Sequence, residues 1–110
     1  MSQLRAMNVI THFTLEVDSA EIAVSLADAT PAMTDGKMTG RTVRRVLLEV
    51  VDGGDVMWRG DGGPPQLNNA HIIELNGSLS LTGANYRSMI KNMQFMPVAA
   101  TAMIFGTAFD

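Results

Sequence analysis

Cysteine is absent from this 110-residue chain, and with it go thiol catalysis, thiolate zinc sites and any disulfide framework. Charge is scarce as well. Only 17% of the residues are charged while 46% are apolar, against about 25% charged in an ordinary soluble domain, so the chain is short of the groups that keep a surface wet. Aromatic residues make up 5%, with one tryptophan and one tyrosine, which leaves little for a carbohydrate platform of stacked rings. The start, Met1 to Ile10, is interrupted by Gln3, Arg5 and Asn8 and lacks the apolar run of a secretory signal. The longest uncharged stretch, Asn92 to Phe109, contains Gln94, Pro97, Thr101, Gly106 and Thr107. Its apolar residues alternate with small or polar ones, so it reads as two strands and not as a membrane span. A net charge of −3 is the wrong sign for a protein whose main partner is a nucleic-acid backbone, so neither nucleic acid nor a membrane is expected as a partner.

What is present is a succession of short β patterns. The length suits one domain that buries roughly two-thirds of the surface its unfolded chain exposes. Val9, Phe13, Leu15 and Val17 share one parity with Thr11, against Ile10, His12, Thr14 and Glu16, as in a half-buried strand. Val43 to Val51 is nearly continuous aliphatic, and Asp52-Gly53-Gly54-Asp55 separates it from Val56 to Arg59, which predicts a β-hairpin. Asp61-Gly62-Gly63-Pro64-Pro65 predicts an exposed loop. His71 to Leu75 and Ser78 to Thr82 flank Asn76-Gly77 and predict a second hairpin. In Ser19 to Ala29, Ser19 suits a helix cap, but Ile22, Val24 and Leu26 fit a strand, which is the favoured reading. Asn85 to Met93 has room for a helical turn, with Met89, Ile90 and Met93 at helical spacing. The expected fold is all-β: a single-domain β-sandwich or small jelly-roll of about seven or eight short strands over residues 1–110. Residues 1–8 are read as a mobile N-terminal arm and 30–40 as a mobile loop, or an arm that orders on a neighbour.

Few residues suggest chemistry. His12 lies on the polar parity of its strand and His71 at a strand start, and neither has a second ligand at metal spacing. Asp52, Asp55 and Asp61 bracket glycine-rich turns but lack the closing bidentate carboxylate of a calcium loop, so turn chemistry is the simpler reading. Ser78, Ser80 and Ser88 lack a nucleophile elbow. No catalytic residue, metal ligand or cofactor is assigned, and the chain is expected not to be an enzyme. Arg59-Gly60-Asp61 spells an adhesion tripeptide, and Trp58, Arg59 and Asp61 are the candidates for a loop-borne ligand site. The stronger signal is that Arg87 and Lys91 are the only charges between Leu75 and Phe109. Met89, Met93, Phe95, Met96, Met103, Phe105 and Phe109 fall in that stretch. An apolar outward parity there predicts an interface with another chain, for which methionine's adaptable side chain is suited. The competing expectation is that the last strands are central in their sheets and covered by the chain itself.

The order RRVLLEVVDGGDVMWRGDGGPP, then HIIELNGSLSLTG, then MIKNMQFMPVAATAMIFGTAFD resembles small β-sandwich structural proteins found among the virion genes of tailed bacteriophages. Trp58, Arg59, Asp61, Gly62, Pro64 and Pro65 occupy its aromatic-Arg strand and D-G-x-x-P loop. The likeness covers Arg44 to Asp110, with EIAVSL weakly included; the Thr30 to Gly40 insertion, the second proline and the many methionines depart from it. The resemblance implies a capsid decoration or cement protein, made in the bacterial cytoplasm and located on the virion surface. Its partners would be sister subunits and a major capsid or other virion protein. The alternatives are a tail or host-attachment accessory protein, and a monomeric glycan-binding sandwich.

Overall fold

A computed structural model describes residues 8–18, 22–82 and 87–110. The strands are β1 (Val9–Val17), β2 (Val24–Ser25), β3 (Lys37–Met38), β4 (Arg41–Thr42), β5 (Arg45–Asp52), β6 (Val56–Arg59), β7 (His71–Ile73), β8 (Ser78–Thr82), β9 (Gln94–Pro97) and β10 (Ala102–Phe109), with one short helix, α1 (Arg87–Asn92). Two four-stranded antiparallel sheets form, one ordered β1-β10-β5-β8 and the other β2-β9-β6-β7; β3 and β4 pair separately. Matched position by position, these orders put β1 opposite β2, β10 opposite β9, β5 opposite β6 and β8 opposite β7. That winding is a jelly roll, the narrower of the two expected all-β architectures.

One core lies between the sheets. Phe13, Leu15, Val17, Val46, Leu48, Val50, Ile104 and Ala108 enter it from the first sheet, and Val56, Trp58, Ile73 and Phe95 from the second. The period-2 alternation in β1 and β5 makes this possible, because every second side chain points inward. The exception is informative. A bulge between Val9 and Thr11 turns Val9 outward, 47% exposed, and lets Ile10 pack on the core instead. Gly106 pairs with Phe13, and a Cβ there would run into the Phe13 ring, which occupies the space a side chain would need.

Both expected hairpins are corrected. β5 and β6 belong to different sheets, as do β7 and β8, so the Gly53 and Asn76-Gly77 turns are corners that carry the chain across the sandwich. The first corner is wedged against the segment before β10, and Asn76, at φ 67, donates its N–H to the Val50 carbonyl at 2.8 Å. Of the named strands, only β3–β4 and β6–β7 pair with their neighbour in sequence.

The segment expected to be a mobile loop is tied down. Thr30 exchanges both backbone hydrogen bonds with Thr14, at 3.1 and 2.9 Å, Lys37–Met38 pairs with Arg41–Thr42, and Met33 and Met38 are buried. The favoured strand in Ser19 to Ala29 shrinks to Val24–Ser25, because a 3-10 turn over Leu26–Asp28 follows at once. Ser25 Oγ accepts from the Ala27 N–H, and Asp28 Oδ2 accepts from the Ser25 N–H at 2.9 Å. Ser19 and nearly all of the proposed N-terminal arm lie outside the described residues. The helical turn expected near Met89 is α1.

Candidate functional site

The charge-poor stretch divides into a core part and a surface part. Met93 is 1% exposed and Phe95 0%, both inside the sandwich, which corrects their assignment to an interface: neither can reach another chain. The reason is topological. β10 lies between β1 and β5, and β9 between β2 and β6, so the last strands are the central ones and the chain itself covers their inner faces. Met89 sits half-buried in α1 against the core, and Met96 lies on the outer face of the second sheet, in register with Met57 and Ile72.

Met103, Phe105 and Phe109 remain on the outer face of the first sheet. Phe105 is 37% exposed, and Met103 and Phe109 are partly covered. Register places Phe105 between Thr14 and Glu49, and Phe109 between Val9 and Arg45. Leu47, opposite Thr107, and Val51, 47% exposed, continue the same apolar stripe on β5. Glu49 interrupts it on β5 between Leu47 and Val51, Thr107 interrupts it on β10 between Phe105 and Phe109, and further polar groups fringe it. His12 stacks on Phe105 with ring centroids 5.5 Å apart and donates to or accepts from Thr107 Oγ1 at 2.9 Å; the Arg45 guanidinium lies 4.8 Å above the Phe109 ring. An apolar strip edged by charged and polar side chains has the anatomy of a protein interface.

Leu47 and Val51 are not singled out by the nearly continuous aliphatic run Val43 to Val51. The outward positions of Arg45 and Glu49 already carried the signal, since Leu47 and Val51 share their parity.

The loop candidates lie at the end of β6. Trp58 is 6% exposed, packed in the core with His71 against its indole at 4.8 Å between centroids, so it offers no open stacking surface. Arg59 and Asp61 bind each other: Arg59 Nε donates to Asp61 Oδ1 at 3.0 Å, Arg59 Nη2 pairs with Oδ2, and the Gly63 N–H adds a bond to Oδ1 at 3.0 Å. The Arg59 hydrogen bond first, and the Gly63 N–H second, hold the Asp61 carboxyl below its ordinary pKa. Trp58, Arg59, Asp61, Asn69, His71 and Met89 border a cleft of about 390 Å3. Because Arg59 and Asp61 are engaged with one another, Arg59-Gly60-Asp61 is closed on itself and not presented as a free tripeptide.

Asp52, Asp55 and Asp61 do not converge, and among the described residues no group of three histidine or carboxylate side chains is placed to hold a metal ion. Asp55 Oδ1 instead accepts from the Leu75 N–H at 2.9 Å and ties the two corners together. Among the described residues no helix is long and apolar enough to cross a membrane. Comparison with protein-family models, with curated proteins and with solved structures returns no match.

Proposed function

We propose that this protein is a non-enzymatic structural subunit of a bacteriophage virion, a capsid decoration or cement protein that acts in many copies. The observation that carries the reading is the apolar stripe Met103, Phe105, Phe109, Leu47 and Val51 on the outer face of the first sheet. A jelly roll supplies a rigid block, and an apolar strip with a polar fringe supplies a face for a neighbouring subunit. The resemblance of Arg44 to Asp110 to virion proteins supports the setting. Mechanically, each copy adds buried area across a junction of the shell; a stable interface needs about 1,200 to 2,000 Å2, and repetition over the particle multiplies the effect.

The test is addition of purified protein to shells that lack it, followed by sedimentation and imaging. Native protein is expected to co-sediment with the shells and to appear as regular density on their surface. Shells of the encoding virus that stay bare would overturn the reading.

A second reading, a monomeric glycan-binding sandwich, draws on the cleft beside β6. There Asn69 and His71 border a concave surface with Arg59 and Asp61. Because Trp58 belongs to the core, the discriminating variant is Asn69→Asp, which keeps the oxygen that accepts from the Gln66 N–H at 2.9 Å and removes the amide donor offered to a ligand. Loss of glycan binding in that variant would favour this second reading.

A further inference from the structure

We infer that copies of this chain associate end to end, the acidic end of one sandwich seating in a cationic cleft at the opposite end of the next. β1 and β5 run in the same direction, since each is antiparallel to β10, and their ends gather with the two corners. Glu16, Asp18, Asp52, Asp55 and Glu74 lie at that end: Glu16 and Asp52 both face Met103 in register, and Asp55 is bonded to the Leu75 N–H. No lysine or arginine of the described residues lies there.

The other end is built from the β3–β4 hairpin, the start of β5, the end of β10 and α1. It carries Lys37, Arg41, Arg44, Arg45, Arg87 and Lys91. Arg59 lies on the same side, where Gly60 abuts Met89 of α1, but it is neutralised by Asp61, as Arg41 is by Asp110. Arg45 lies over the Phe109 ring on the outer face of the first sheet, and Arg44 is outside the cleft lining; Lys37, Arg87 and Lys91 are the cations that face the cleft. They line a cleft of about 420 Å3 with Thr42, Val43 and Ile90, and Asp35 is the one carboxylate on its wall. All three are exposed and none has an ion-pair partner among the described residues.

Cations sharing a cleft without matching counter-charge repel one another, and an entering carboxylate relieves that repulsion. A second copy supplies the matching group. Its acidic end carries the two tight corners, with the exposed side chains of Asp18, Asp52 and Glu74 on or beside them. The chain as a whole is negative, at −3, so the positive end is a local feature set against the overall charge. Two different surfaces meeting in this way make a heterologous contact, which closes into a ring or continues as a chain of subunits. The contact is made at the ends of the sandwich and meets the stripe on the first sheet only at Met103 and Val51, leaving Phe105, Phe109 and Leu47 outside it; it does not rest on the virion reading, since two copies in solution suffice.

Charge exchange tests it. Lys37→Glu/Arg87→Glu/Lys91→Glu makes both ends acidic, and Asp18→Lys/Asp52→Lys/Glu74→Lys makes both ends basic; all six positions are exposed, and circular dichroism checks that each variant is folded. Light scattering at about 0.01 M salt, where the Debye length is about 30 Å, is compared with about 1 M, where it is about 3 Å. Native association is expected to weaken by roughly tenfold or more in the high salt, as a few ion pairs of modest strength would give. Each variant alone is expected to lose this salt-sensitive association, and an equimolar mixture of the two to regain it. Association that ignores both reversals, or that fails to return in the mixture, overturns the inference. So does native protein that stays a single chain at low salt; if the acidic variant then also loses its hold on shells, the cleft serves another acidic surface and not a second copy.

Discussion

Phe95→Ala is expected to destabilise the protein by about 3–5 kcal/mol, the range for a buried phenylalanine truncated in a packed core. The melting temperature would fall by roughly 15 °C. Phe95 is 0% exposed and stands in the central strand of its sheet, opposite Val24 on one side and Trp58 on the other. Its neighbours are held by strand pairing on both sides and cannot collapse into the space, so the lost ring leaves a void. The matching variant is Phe105→Ala, on the outer face and 37% exposed. It removes a ring of the same size at a smaller cost of about 1–2 kcal/mol, from the partly covered ring and its stacking on His12, because no enclosed void is left. Urea unfolding of both variants reads the contrast. Equal costs would mean that the two aromatic residues share one environment, against the division of the last strands into core and surface.

Gly53→Ala is expected to cost on the order of 3 kcal/mol. At φ +95 the residue lies in the left-handed region, and an added Cβ would overlap the Thr101 carbonyl oxygen and lie 2.8 Å from the Ala102 Cα. Those atoms are backbone, so no side chain can swing aside. The chain entering β10 would have to move, and with it the pairing of β10 to β5. Gly54→Ala is the control: open space surrounds its Cβ position, and a change under about 1 kcal/mol is expected. Comparable unfolding midpoints for the two variants would show that the corner does not press on the segment before β10.

These two positions mark where the sequence was readable and where it was not. The alternation in β1 was legible because one face of the strand meets the core and the other meets water, which writes the burial into residue type. The Val9 bulge was not, since a one-residue slip leaves no mark in a run of apolar and polar residues. Gly53-Gly54 and Asn76-Gly77 announced reversals of the chain correctly, but a turn signal is local. Whether the next strand pairs beside the last or crosses to the opposite sheet depends on partners far along the chain. Val50, for example, pairs with Ile104 and also bonds to Asn76 and Gly77.

The candidate interface was legible in part for the same reason. A run poor in charge is written alike for a strand at the centre of a sheet and for one covered by a second chain. Register separates core from surface: Met93 and Phe95 turn inward, whereas Met103, Phe105 and Phe109 line the outer face with Leu47 and Val51. Lys37, Arg87 and Lys91 are far apart in sequence. Only the folding of the β3–β4 hairpin beside α1 brings them to one cleft, so no motif reveals it.

The central proposal is that another copy of this chain covers the outer face of β10 and β5. The most direct measurement is the mass of the protein in solution by sedimentation equilibrium over a wide concentration range, for native protein and for Phe105→Asp, at high salt to silence the contact between charged ends. Native protein is expected to sediment as a multiple of its 11.8 kDa chain. Phe105→Asp, which puts a charge in the middle of the stripe, is expected to weaken that association at least about tenfold while its fold is kept. A native protein that stays at the mass of one chain throughout, or a Phe105→Asp variant that assembles as well as the native, would contradict it.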